Sequence, residues 1–416
     1  MDEVKYNPQK EGQKKNEIGL DISKRMVEQD PLVRTVTRLI TDGIEKRASD
    51  ILIEPLQDEL QIRYRVDGVL FKALSLDKLL HNSVITRIKV MSALNISEHR
   101  LPQDGRFKMV FPEKEVDMRV SIIPSHLGEK IALRVLDREA TVLDIDKLGL
   151  DARSQELFKK YLKKPYGMIL VCGPTGSGKT TTLYSALLYI DSIEKNIVTV
   201  EDPIEYQLMG INQVAVAENM GLNFPVVLRS ILRQDPNIIL IGEIRDFETA
   251  DIAVKSALTG HIILSTLHTT SAAASVVRLT NMGIEPFLIA SSCLIIASQV
   301  LVRTLCPQCK ENYVPEKALL DELKSRNISI IDDIVLYKAK GCNYCNNTGF
   351  RGRTVVMETL EVSQAAGELI IKGASEKELK DTARREGMVS LRENGLQLVI
   401  KGITTLEEIL RVTSAE

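Results

Sequence analysis

Tryptophan is absent from this 416-residue chain, and aromatic residues make up only 4% of it. Proteins that bind nucleic acid draw on aromatic stacking platforms or an excess of basic charge. Here 54 Lys and Arg face 56 Asp and Glu, for a formal net charge of −2. The totals therefore argue against a nucleic-acid partner, and only a local basic patch escapes that argument. Long apolar runs are lacking too. The most apolar stretch, FLIASSCLIIASQVLV at 287–302, contains serines and a glutamine. It falls short of the ~20 residues a spanning helix needs and reads as a buried core helix. The start, MDEVKYNPQKEGQKKNEIGL, has no apolar signal core, so a cytoplasmic location is expected. Six cysteines in a chain of this length do not make a disulfide scaffold. No internal repeat is visible.

What is present is ordinary in bulk: 44% hydrophobic and 26% charged residues, with length enough for two or three domains. Residues 1–28 are polar and predicted to be a mobile tail. Residues 29–138 alternate helix and strand signals. PLVRTVTRLITDGIEKRA sets Val33, Val36, Leu39, Ile40 and Ile44 on one helical stripe. ELQIRYRVDGVL alternates apolar and polar residues into an Asp67-Gly68 hairpin turn. A second helix, HNSVITRIKVMSAL, and the strands RFKMVF, EVDMRVSII and EKIALRVL complete an α+β domain. Residues 139–150 read as a linker. From 151 to 416 the pattern becomes α/β: the short Val/Ile/Leu runs GMILVCG, NIVTVED, NIILIGE and HIILSTLH alternate with helices, as in a buried parallel sheet. A cysteine-containing insert at 304–355 and a helical part at 356–416 close the chain.

One motif is sharply defined. GPTGSGKT at 173–180 fits G-x-x-x-x-G-K-[ST] and sits between a predicted strand and a predicted helix. Gly173, Pro174, Thr175, Gly176, Ser177 and Gly178 form a turn whose backbone N–H groups can face the phosphates of ATP, at the positive end of the helix that Thr181 continues. Lys179 neutralises β/γ oxygens, and Thr180 offers its hydroxyl to Mg²⁺. In doubly wound sheets the ligand lies beyond the carboxyl ends of the strands. Those ends carry Glu201, Asp202 and Glu205, then Glu243, Arg245 and Asp246, then Thr266 and His268. Carboxylates there orient water or hold magnesium. The usual aspartate is missing after IILI, where Gly242-Glu243 stand; the division of labour between Glu243 and the Glu201/Glu205 segment stays open.

Cys306 and Cys309 form one C-x-x-C pair, and Cys342 and Cys345 another. Residues 310–341 separate them, longer than the usual about 15–20. Each pair is still set as a knuckle beside Pro or Gly, and a structural tetrahedral zinc is the expectation. Cys172 and Cys293 lie in apolar runs and read as small core residues.

Taken together, ASDILIEP, RLPQDGRF, the phosphate loop, EDPIEY, LRSILRQDPNIILIGEIRDFETA, ALTGHIILSTLHTTSA, the paired cysteines and GITTLEEILRVT resemble the type II secretion and type IV pilus assembly ATPases. The resemblance covers nearly the whole chain from about residue 30. It implies a PAS-like domain followed by a RecA-like ATPase domain, assembled as a homohexameric ring that works on inner-membrane secretion or pilus platform proteins. It marks Glu201–Glu205 as an aspartate box, IILIGE as a variant Walker B segment and His261–His268 as a histidine box. It also favours Arg106 and Arg119 as arginines that complete the nucleotide site. Leu52, Thr270 and Val300 depart from the common pattern. Three alternatives stay open: a nucleic-acid translocase, a pilus retraction ATPase, whose kind typically lacks the paired cysteines, and a nucleotide-gated scaffold without turnover.

Overall fold

The computed structural model describes residues 31–111, 115–136, 143–315 and 335–413. The tail expected at 1–28 lies outside them. The chain divides into two compact units, Met1–Arg138 and Glu139–Glu416.

In the first unit, α1 (Pro31–Glu45) leads into β1 (Ala48–Pro55), β2 (Glu59–Val66) and β3 (Val69–Asp77). Then come α2 (His81–Met91), β4 (Gln103–Val110), β5 (Glu115–Ser125) and β6 (Gly128–Leu136). The strands form an antiparallel six-stranded sheet in the order β3-β2-β1-β6-β5-β4. The β2–β3 turn is the one the sequence predicts: Asp67 and Gly68 have φ of 48° and 87°, the left-handed pair a two-residue hairpin requires. The apolar stripe of α1 and the inner side of α2 pack on Ile51, Ile53, Ile62, Met118 and Ile131. The buried Tyr64 hydroxyl donates to the Leu39 carbonyl at 2.7 Å, so its burial leaves no unmet donor.

The second unit starts with α3 (Ala152–Tyr161), β7 (Gly167–Cys172), α4 (Lys179–Ile190), β8 (Ile197–Glu201) and β9 (Asn212–Ala215). It continues through α5 (Phe224–Ile231), β10 (Ile238–Ile241), α6 (Phe247–Leu258), β11 (Ile262–Leu267), α7 (Ala272–Asn281) and α8 (Pro286–Ser292). After β12 (Cys293–Leu305) come the short β13 (Glu311–Tyr313) and β14 (Leu336–Lys338), then β15 (Phe350–Glu361). The helices α9 (Gln364–Ile371), α10 (Glu376–Arg385), α11 (Leu391–Ile400) and α12 (Leu406–Val412) end the unit. The seven-stranded sheet has the order β15-β12-β7-β11-β10-β8-β9. All neighbours are parallel except the β12–β15 edge pair. Met168, Leu170 and Cys172 of β7 face one apolar layer, Ile169 and Val171 the other. Burial on both faces is why these strands read as unbroken apolar runs.

Three expectations are corrected. The run at 287–302 is not one core helix: α8 ends at Ser292 and β12 begins at Cys293. Periodicity cannot separate a buried strand from a buried helix. Here the β-branched Ile295, Ile296, Val300 and Val302 favour the strand, which finds partners on both sides in β7 and β15. The part from 356 is not all helical, because β15 runs to Glu361 as the partner of β12. Finally, 143–150 is not a free linker: Ile145 and Leu148 are buried with Leu157 and Phe158.

Candidate functional site

β7 is buried at every position and delivers the chain to Gly173. Gly173 has φ 144°, and a Cβ there would stand 2.3 Å from the Gln299 carbonyl oxygen, so no side chain fits. Gly178 has φ 85° at the N-cap of α4. Between them the Ser177 amide donates to the Pro174 carbonyl at 3.2 Å, while Pro174, Thr175 and Gly176 are exposed. Lys179 is buried, and its Nζ donates to the carbonyls of Gly173 at 2.8 Å and Pro174 at 3.0 Å. Burial lowers its pKa, partly offset by the Cys172 sulfur and the Glu243 carboxylate. The ammonium is thus held at the loop in a low-dielectric setting, where a cation acts strongly on phosphate oxygens. Thr180 and Thr181 are half-buried in the first turn of α4.

Beyond the neighbouring strands the structure brings Glu243 and His268 together. β11 lies between β7 and β10, so His268, just past β11, stands beside the segment that follows β10. His268 Nε2 lies 3.0 Å from Glu243 Oε2, and Arg245 donates to Glu243 Oε1 at 2.5 Å. Burial pushes the Glu243 carboxyl up, but the Arg245 hydrogen bond and charge, joined by His268, hold it below the ordinary glutamate value. It is therefore an anion at neutral pH. Gly242 packs closely on β8: a Cβ there would lie 3.3 Å from Glu201 Cα and the Val200 carbonyl oxygen, so a side chain at this position requires β8 to give by a few tenths of an ångström.

The other candidates are placed differently. Glu201 is buried, and its carboxylate accepts from Thr199 at 2.5 Å, Gln213 at 3.1 Å and the Tyr184 hydroxyl. Glu205 is half-buried in the segment after β8. His261 sits at the opposite end of β11 from His268, with Nδ1 3.1 Å from the Ser256 carbonyl. In the first unit Arg106 of β4 is paired with Arg119 of β5, which is paired with Arg134 of β6. Asp50 of β1, opposite Arg134, accepts from Arg134 at 3.1 Å and lies 3.3 Å from Arg65.

The residue that sequence reasoning missed is Gln299. It is fully buried on β12; its Nε2 donates to the Ser177 carbonyl at 2.6 Å, and its Oε1 accepts from the Thr182 hydroxyl at 2.8 Å. The signal was available: a glutamine inside an apolar strand needs buried partners.

The four cysteines meet. The Sγ atoms of Cys306, Cys309, Cys342 and Cys345 lie within 4.8 Å of one another. Three of the separations are 3.9, 3.8 and 3.8 Å. Four sulfurs at about 2.3 Å from a tetrahedral zinc are about 3.8 Å apart, so the set fits that ion. Amides of Gly341, Cys342 and Gly349 donate to the sulfurs at 3.3, 3.2 and 3.2 Å. Burial pushes the Cys345 thiol up, but the amides of Cys342 and Gly349, joined by the Cys309 and Cys342 thiols, outweigh it and bring it to about 6. Burial pushes the Cys309 thiol the other way, up to about 12, so Cys345 is the sulfur of the pair that gives up its proton first. Thiolates are what a metal requires.

A glycine-rich loop between β7 and α4, with an added strand between it and an acidic strand end, defines a phosphate-loop nucleotide-binding protein. The particular family follows from comparison. Residues 25–411 match the family described as Type II/IV secretion system protein, and the chain belongs to it. It is 49% identical over 389 residues to the Type IV pilus assembly ATPase PilB of Myxococcus xanthus, covering 93% of this chain and 68% of that protein. It is 47% identical over 386 residues to the Type II secretion system ATPase E of Vibrio cholerae, covering 92% and 75%. Among solved structures, the pilus retraction motor PilT with bound ADP aligns at 25% identity with TM-score 0.61, covering 91% of this chain and 96% of that one. The Yersinia pseudotuberculosis ATPase DotB shares the fold at TM-score 0.69 and 20% identity, covering 92% and 94%.

Proposed function

We propose that this chain is a Mg²⁺-dependent ATPase that works as a homohexameric ring and drives type II protein secretion or type IV pilus assembly through inner-membrane platform proteins. The observation that carries the reading is the phosphate loop, whose buried Lys179 donates from Nζ to the loop carbonyls of Gly173 and Pro174. Lys179 binds the β/γ-phosphates, and Thr180 supplies its hydroxyl to the metal. Glu243, held as an anion by Arg245, orients the attacking water, and His268 fixes the carboxylate. Glu205 assists from the β8 end. Glu201, occupied by Tyr184, Thr199 and Gln213, acts by holding that end in place. Glu243→Gln keeps the size and removes the charge. Turnover is expected to fall about 10²- to 10³-fold with nucleotide affinity largely kept. Normal phosphate release by this variant removes the role.

Zinc is the proposed occupant of the cysteine cluster. Four protein thiolates leave no open position, so its part is structural. It would tie the end of β12 to the segment that enters β15. Elemental analysis of freshly purified protein is expected to find about one zinc per chain, and Cys306→Ser to lose it while still binding nucleotide. Metal-free wild-type protein contradicts the assignment. The same cluster favours secretion or assembly over pilus retraction.

A further inference from the structure

The peptide joining Ser177 to Gly178 is gripped from one side. Gln299 donates to the Ser177 carbonyl at 2.6 Å. In a trans peptide the N–H points opposite to the C=O. Fixing this carbonyl toward β12 therefore aims the Gly178 N–H away from β12. The turn is open at Gly176, where a Cβ would meet no atom within 4 Å. The grip is itself oriented: the Thr182 hydroxyl donates to Gln299 Oε1 at 2.8 Å. The Ser177 carbonyl can only accept, so it takes the Nε2 end of the amide, and the Thr182 hydroxyl holds the Oε1 end. The Gln299 backbone carbonyl meanwhile presses against Gly173 at the other end of the loop, 2.3 Å from where a Cβ would be. One residue of β12 thus braces both ends of the phosphate cradle.

We infer that Gln299 is a positioning residue for nucleotide binding: it holds the Ser177–Gly178 peptide in the orientation that presents an amide donor to the phosphates. The inference rests on the nucleotide reading of this loop. The chemistry needs an amide. A methionine of similar length neither donates nor accepts. A glutamate sets an acceptor against the Ser177 carbonyl and favours a turned peptide. The burial of both partners, with Thr182 and Gln299 at 0% exposure, leaves water no way to substitute.

The test measures binding of fluorescent mant-ADP and mant-ATP with Mg²⁺ to the full chain, in Gln299→Met, Gln299→Glu, Thr182→Val and the Gln299→Met/Thr182→Val pair. Loss of one buried hydrogen bond corresponds to about a tenfold change. Gln299→Met is expected to weaken both Kd values about tenfold, and Gln299→Glu to weaken them more. Thr182→Val acts only through Gln299, so the double variant should bind no more weakly than Gln299→Met alone. A purely structural role would lower the Tm without moving Kd in protein that remains folded. Wild-type Kd values in folded Gln299→Met, or strictly additive effects in the pair, overturn the inference. If Gln299→Met does not fold, unchanged Kd in Thr182→Val overturns it instead. Wild-type protein that binds neither nucleotide overturns the reading beneath it, and the inference with it.

Discussion

Lys179→Ala is expected to lower ATP turnover at least about 10³-fold, the upper end of what losing one charge-stabilising group costs. The physical reason is the setting. Lys179 is 8% exposed and its ammonium donates to the carbonyls of Gly173 and Pro174, so it is anchored where phosphate charge must be met. Alanine removes the cation that the loop holds. It also leaves two loop carbonyls without that donor, so the loop itself loosens and nucleotide affinity falls along with turnover. Phosphate release and mant-nucleotide binding, measured side by side, separate the two effects. Unchanged release by the variant contradicts the assignment of the loop.

Arg106→Ala and Arg119→Ala are each expected to cut turnover about 10³-fold, the low end of what an arginine directed at a transferring phosphoryl group supplies. A single loop lysine leaves transition-state charge uncompensated. The sheet of the first unit aligns Arg106, Arg119 and Arg134 across three adjacent strands. Like charges directly opposite each other cost stability, and Asp50 answers the far side of the row through Arg134 and Arg65. We propose that Arg106 and Arg119 meet the phosphates in the assembled ring. Nucleotide affinity should change little, because the effect belongs to the transition state. Normal turnover in both variants removes the proposal, leaving these as solvated strand arginines.

The phosphate loop was legible because its constraints are local: a buried strand, glycines where φ must be positive, a lysine and a helix start all lie within residues 167–182. The Asp67-Gly68 hairpin and the α1 stripe were legible for the same reason. The cysteine pairs were readable as pairs, but their convergence across residues 310–341 was a matter of tertiary structure. The strand at 293–305 was misread because buried strands and buried helices share an apolar run, and only the neighbours β7 and β15 decide between them. Glu201 was read from its place at a strand end, which does not reveal that Tyr184, Thr199 and Gln213 take its oxygens. Gln299 was missed because its partners, Ser177 and Thr182, are more than a hundred residues away in sequence.

The central claim is that this chain hydrolyses ATP as an assembled motor. The most direct measurement is phosphate release from Mg-ATP by purified full chain over a range of protein concentrations, with ring formation followed in the same samples. The expected result is release per subunit that rises steeply as rings form and stops when Mg²⁺ is chelated. Folded, ring-forming protein that releases no phosphate at any concentration would contradict it.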